Sequence, residues 1–250
     1  MGVLCLADDV TDETDTYAAE YHVPVMVERL LEYLAVESGG SYVDGTCGGG
    51  GHTAAILDAS APDGRVLAID RDPEAIDYAR ERLSDAGERL TLVVGNYANT
   101  LDIGRAHAFL PADGFLGDAG ISSHQIDDAE RGFSHSKEGP LDMRMGPDAP
   151  SALSWLEDVS QQELARALHD YGEVPKSRRV AHAIKDAVAA DELATTTDLA
   201  DLCERVLGGR GANRATSMPP ATLVFQAIRI AINRELEHLE RAVEIVPEVV

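Results

Sequence analysis

Short apolar runs alternate with helical repeats over the first half of this chain, and helical repeats alone continue over most of the second. Tyr42 to Asp44, Val66 to Asp70, Leu90 to Val94 and Phe115 to Asp118 are brief β-rich runs. Between them apolar positions return at helical spacing: Val27, Leu30, Leu31 and Leu34 within Pro24 to Val36, a helix starting at His52 to Leu57, and Ile76, Ala79 and Leu83 behind Asp72-Pro73. Strand and helix in alternation predict an α/β fold, a doubly wound Rossmann-like parallel sheet with ligands at its strand ends. After Gln125 the pattern changes. Trp155 and Val159, a Ser160-x-x-Glu163 capping box with Leu164 and Leu168, then Val180, Ala183, Ile184 and Ala187, then Leu199, Leu202, Cys203 and Val206 repeat at helical spacing with no strand between them. This predicts an inserted all-helical domain. Past Pro219-Pro220 a single long helix is expected from Ala221 to about Arg241, with Val224, Ile228, Ile232, Leu236 and Leu239 on one face. The expected organisation is an acidic flexible arm over 1–20, a ligand-binding core over 21–125, the helical insert over 126–218 and a return to the core over 219–250.

The first strand breaks into four consecutive glycines, Gly48 to Gly51, directly before a helix. Glycine loses more backbone entropy on folding than any other residue, so such a run implies close approach of a ligand or another backbone. Strand, glycine turn and helix N-terminus form the ligand crevice of an open α/β sheet. Asp70 ends the second strand 19 positions after Gly51, near the ~20 expected of an acid that binds ribose hydroxyls. Gly49-Gly50-Gly51-His52-Thr53-Ala54 also satisfies a permissive G-x-G-x-x-A, so glycine spacing leaves a dinucleotide open. Asp44 shifts the balance, because an acid just ahead of the glycines repels a pyrophosphate and suits S-adenosylmethionine, with its sulfonium and ammonium groups.

Further motifs follow in order: Tyr21-His22-Val23-Pro24-Val25, Asp113 through Asp127 with Gly117-Asp118-Ala119-Gly120-Ile121-Ser122-Ser123-His124-Gln125, Glu130-Arg131-Gly132-Phe133-Ser134, Gly139-Pro140-Leu141-Asp142-Met143-Arg144-Met145, and Pro220-Ala221-Thr222 with Phe225-Gln226-Ala227-Ile228-Arg229-Ile230. With these the chain resembles the RsmH (formerly MraW) family from His22 onward. The resemblance implies a class I, S-adenosylmethionine-dependent methyltransferase acting on the exocyclic N4 of a cytidine at the decoding centre of 16S ribosomal RNA. Cys47, Ala119, His124, Tyr97 and Val174 depart from the family pattern without removing a polar group from the expected cofactor site. The family normally continues past the last helix into further strands, so the chain reads as a truncated version of a longer protein.

Within that resemblance each candidate residue has a role. Backbone amides of Gly50, Gly51 and His52 are expected against the methionine part of the cofactor, Asp70 on the ribose and Tyr97 against adenine, with core packing an equal alternative for Tyr97. The His52 side chain reads as a helix-start polar group in preference to a catalyst. Asp118 is the candidate catalytic residue, also counted with Gln125 among the cofactor ligands, and whether Asp118 only binds cofactor stays open. Cytosine N4 is a poor nucleophile whose lone pair is delocalised into the ring; a carboxylate accepting an N4 hydrogen localises it and aligns it. The base is expected to leave its stack and enter a crevice between sheet and insert. Arg131, Arg144 and Arg214 are the candidates for RNA contact, whereas Arg178 and Arg234 read equally well as helix-face or C-cap charges.

Composition modifies this picture. The formal net charge is −23, awkward for an enzyme that must grip phosphates with Lys and Arg. The only lysines are Lys137, Lys176 and Lys185, and an acidic, lysine-poor surface suits a salt-rich cytoplasm where self-repulsion is screened. No apolar run approaches the ~20 residues of a membrane span, and Cys5, Cys47 and Cys203 are isolated, which argues against a disulfide framework and against a metal site. A cytoplasmic location without membrane or metal partners is expected. The competing readings are a cofactor-binding but inactive module, or a methyltransferase of the same class acting on a protein or small molecule.

Overall fold

The computed structural model describes residues 24, 26–208 and 219–250, and these form two compact units. One runs to Ala119 and takes in Ala242–Val250; the other is Gly120–Arg241.

In the first unit, β1 (Ser41–Asp44), β2 (Arg65–Asp70), β3 (Leu90–Val94) and β4 (Gly114–Leu116) form one sheet in the order β3-β2-β1-β4, with every pairing parallel. Helices α1 (Val27–Tyr33), α2 (Gly51–Ala59), α3 (Pro73–Arg82) and α4 (Thr100–Ala106) connect or flank the strands. The four residues Val66–Ile69 of β2 are wholly buried, as a parallel strand covered on both faces requires. Alternation along the strands divides the core: Tyr42, Val66 and Ala68 pack with Ile56, Ile76 and the α1 leucines, while Val43, Leu67 and Ile69 pack with Phe109, Ala112 and Val249. Helix α3 starts where its sequence says it should, since the Asp72 carboxylate accepts the Glu74 N–H at 3.1 Å ahead of Pro73.

The second unit is helical: α5 (Ser123–Asp127), α6 (Ala152–Asp158), α7 (Gln161–Asp170), α8 (Ser177–Ala189), α9 (Thr196–Leu207) and α10 (Pro220–Asn233), followed by α11 (Glu235–Val249), which runs on into the sheet unit. Leu156, Leu164, Leu168, Ile184, Leu199 and Ile228 are buried in a single core, and the expected Ser160–Glu163 capping box starts α7.

Two expectations about the last third differ from what is seen. The single helix over 221–241 is two helices, broken at Arg234, whose φ of 52° is left-handed. Asn233 explains the break: its side chain is buried and donates to the Met143 carbonyl at 2.8 Å while accepting from the Met145 N–H at 2.8 Å. Consequently the apolar stripe stops there, and Leu236 and Leu239 are 46% and 45% exposed. The boundaries also differ, falling at Gly120 and Arg241 and not at 126 and 219. Val224, Ile228 and Ile232 of α10 belong to the helical core, which keeps that helix out of the sheet unit. The expected acidic arm over 1–20 lies outside the described residues.

Candidate functional site

The glycine loop joins β1 to α2 at the carboxyl edge of the sheet. β2 and β3 extend to one side of β1 and β4 lies on the other, so this edge carries the topological switch point where open α/β sheets bind ligands. Asp44, the last residue of β1, is completely buried, and its two oxygens accept from the Thr46 N–H at 3.1 Å and the Thr53 hydroxyl at 2.6 Å. Burial raises its carboxyl above the ordinary range, against the pull of those two hydrogen bonds. Asp44 therefore latches the loop to the first turn of α2 and does not face a ligand directly.

Glycine is required at several points, for reasons that differ. Gly48 and Gly50 have φ of +50° and +76°, backbone that residues with a Cβ adopt only at a cost of about 1–2 kcal/mol. A Cβ on Gly50 would lie 2.9 Å from Leu83, one on Gly51 would lie 2.9 Å from Pro24, and one on Gly45 would lie 2.9 Å from Tyr97 Cβ. Protein packing thus accounts for Gly45 and Gly51. No side chain caps the start of α2, and Arg82 steadies the loop from outside by donating to the Gly49 carbonyl at 2.7 Å.

Asp70 ends β2 beside this loop. Its oxygens accept from the Gly48 N–H at 2.7 Å and the Asp72 N–H at 2.9 Å. Burial pushes its carboxyl up to about 6, with the neighbouring carboxylates of Asp72 and Asp44 adding to the shift. Cys47 is buried next to these acids, and burial holds its thiol well above the ordinary value, so it serves as a small apolar residue. Tyr97 is half-buried just past β3 and follows Asn96, whose side chain caps the turn by accepting from the Ala98 N–H at 2.9 Å. Asp118 lies two residues beyond β4. Its N–H donates to the Thr46 hydroxyl at 2.7 Å and its side chain is exposed.

The sheet unit therefore brings Gly50, Gly51, His52, Asp70, Tyr97 and Asp118 to one edge, with the His52 side chain buried in the first turn of α2. Gln125 belongs to the helical unit, where it completes a capping box: its Oε1 accepts from the Ser122 N–H and its own N–H donates to the Ser122 hydroxyl, each at 3.1 Å. Thr46, Thr53 and Arg82 were missed by sequence reasoning. Only a hydroxyl on either side of the glycine run hinted at the first two.

Of the expected RNA contacts, Arg131 donates to the Arg144 carbonyl at 3.0 Å and lies 5.9 Å from the Phe133 ring centroid. Arg144 has an acidic partner two residues away: its guanidinium grips Asp142 bidentately, at 2.9 Å and 2.7 Å. Partial burial would raise the Asp142 carboxyl, but the hydrogen bonds from Arg144 outweigh it and hold the group below its ordinary range. Arg234 likewise pairs with Glu237. Arg214 lies outside the described residues. Among the described residues no group of His, Cys, Asp and Glu side chains is placed to hold a metal ion, and no helix is long and apolar enough to cross a membrane.

Comparison with known proteins narrows the chemistry of this edge. A ribosomal RNA small subunit methyltransferase H of Geobacter sulfurreducens is 46% identical over 227 residues, covering 89% of this chain and 71% of the relative. The protein of the same name from Dehalococcoides mccartyi is 46% identical over 88% of this chain and 62% of its own length, and that of Sorangium cellulosum is 44% identical over 92% and 72%. The chain thus spans between 62% and 72% of these relatives. Among solved structures, a putative rRNA methylase from Clostridium thermocellum overlaps 54% of this chain and 83% of its own at 21% identity and a TM-score of 0.31, which carries no functional information. Residues 19–250 match the MraW methylase family, and with identities of this size over most of its length the chain belongs to that family.

Proposed function

We propose that this protein is an S-adenosylmethionine-dependent methyltransferase that modifies N4 of a cytidine in small-subunit (16S) ribosomal RNA. The observation that carries the reading is the strand-edge cluster: in a chain of this family, Asp118 is tied through Thr46 to the same glycine loop that Asp70 braces. The residues present suit the cofactor. An acid with a raised affinity for protons ends β2, an aromatic ring follows β3 three residues on, and a helix start without a side-chain cap faces the loop. When bound, S-adenosylmethionine supplies a methyl group on a sulfonium, which makes that carbon electrophilic.

The protein's own groups do the rest. Asp70 accepts from the ribose hydroxyls, Tyr97 lies along the adenine, and amides of Gly51 and His52 meet the amino-acid end, while the Gly50 N–H donates to the Cys47 carbonyl at 2.8 Å and shapes the turn. Asp118 accepts one N4 hydrogen of the cytosine, localising the nitrogen lone pair and directing it at the methyl carbon. A strong base is not needed, because N4 becomes acidic on alkylation and releases its proton afterwards. Replacing Asp118 with Asn tests this assignment. Methyl transfer is expected to fall by about 100-fold or more, with cofactor affinity nearly unchanged; equal loss of both would make Asp118 a cofactor ligand only.

A further inference from the structure

Positive charge is scarce in this chain, with 21 Lys and Arg against 44 Asp and Glu, yet four cations share one concavity of the helical unit. The groove encloses about 1030 Å3 where α7 ends and α8 begins. Arg166 and His169 line it from α7, and Lys176, Arg178 and Arg179 from the start of α8; Asp170 and Glu173 are its only acids, so the surface is net positive. All of these side chains are exposed. Among the described residues no hydrogen bond or ion pair engages the side chains of Lys176, Arg178 or Arg179, whereas Arg80, Arg144, Arg229 and Arg234 each hold a carboxylate.

Local energetics oppose this placement. Lys176 is held in left-handed backbone, φ 56°, and the first turn of α8 contains no acid. Cations at the positive end of a helix dipole are unfavourable, and three unpaired like charges within four residues repel one another as well. A bound polyanion removes both penalties at once. Guanidinium forks bind phosphate oxygens bidentately and an ammonium group binds them as a point charge, so this lining suits a phosphate-bearing ligand.

We propose that this α7–α8 groove is a docking surface for the phosphodiester backbone of the substrate RNA, gripping it without regard to sequence. The inference rests on the RNA reading above and assigns it a surface outside the strand-edge site. Such contacts fix register on the nucleic acid and leave base selection to other residues.

The test uses the whole protein and a labelled, unmodified transcript of small-subunit rRNA, with affinity measured across potassium chloride concentrations. Wild type and the triple variant Lys176→Gln, Arg178→Gln, Arg179→Gln are compared, with Arg166→Gln as a single change on the other helix. The triple variant is expected to bind RNA at least tenfold more weakly near 0.15 M salt, with the slope of log affinity against log salt shallower by about 2, at about 0.7 per contact on a single strand. Arg166→Gln is expected to give a smaller loss in the same direction. S-adenosylmethionine affinity should not move, and melting temperature should hold or rise, since the variant removes repulsion at the helix start. Unchanged RNA affinity and slope in a variant that melts like wild type overturns the groove while leaving the RNA reading intact. Wild-type protein that binds S-adenosylmethionine but no RNA overturns both. Inorganic phosphate, titrated calorimetrically, separates a small-anion site: saturable heat lost in the triple variant, with RNA binding unaltered, also overturns the proposal.

Discussion

Asp70 connects the loop's stability to its chemistry. In the folded protein its carboxyl is pushed to about 6 by burial, above its ordinary 3.8. The protonated form is therefore favoured by folding, and this group's contribution to stability is fully present below about pH 4 and lost as pH rises through about 6. Cofactor binding is expected to have the opposite sign, because in the proposed site ribose hydroxyls donate to the ionised carboxylate. Affinity for S-adenosylmethionine is expected to weaken as pH falls through about 6, and Asp70→Ala to lose about 1–3 kcal/mol of binding at pH 8 together with that pH dependence. Isothermal titration across pH 5 to 8 reads both, and a flat profile would remove Asp70 from the cofactor. Asp70 was legible in the sequence because strand end and glycine run sit at a fixed separation. Thr46 was not: its hydroxyl acquires a partner only when β4 is laid beside β1, which brings the Asp118 N–H to it from 72 positions away.

At the scale of elements, legibility followed how local the cause is. β2 could be read directly, since a run apolar on both faces has few alternatives, and α3 and α7 announced themselves through Asp72 and Ser160. The break between α10 and α11 could not, because Asn233-Arg234-Glu235 contains neither Gly nor Pro and helical periodicity continues through it. It is imposed by the Asn233 side chain holding the backbone of Met143 and Met145, a tertiary effect. The glycine run was legible as a turn between strand and helix, but its glycines are not equivalent. Gly50→Ala is expected to destabilise more than Gly48→Ala: both force a Cβ into left-handed backbone at about 1–2 kcal/mol, but only at Gly50 does the new atom also meet Leu83, at 2.9 Å. Thermal denaturation of the two variants checks the order, and equal melting temperatures would mean that Leu83 yields freely.

Over the whole molecule the charge of −23 sets two opposing salt responses. Screening relieves self-repulsion, so melting temperature is expected to rise with potassium chloride, while RNA affinity falls as counterions compete for the phosphates. A melting temperature flat or falling with salt would contradict the salt-adapted reading of the surface. The acidic composition taken alone pointed away from nucleic acid; what composition hides is distribution, since none of the acid-partnered Arg80, Arg229 and Arg234 lines the cationic groove of the helical unit. The account's central claim is tested most directly by incubating the protein with methyl-labelled S-adenosylmethionine and small ribosomal subunits that lack the modification, beside free protein and small-molecule pools. Label is predicted in 16S rRNA, at N4 of a single cytidine once the RNA is digested to nucleosides; label confined to protein or small molecules, or lodged on a different atom of the RNA, would contradict it.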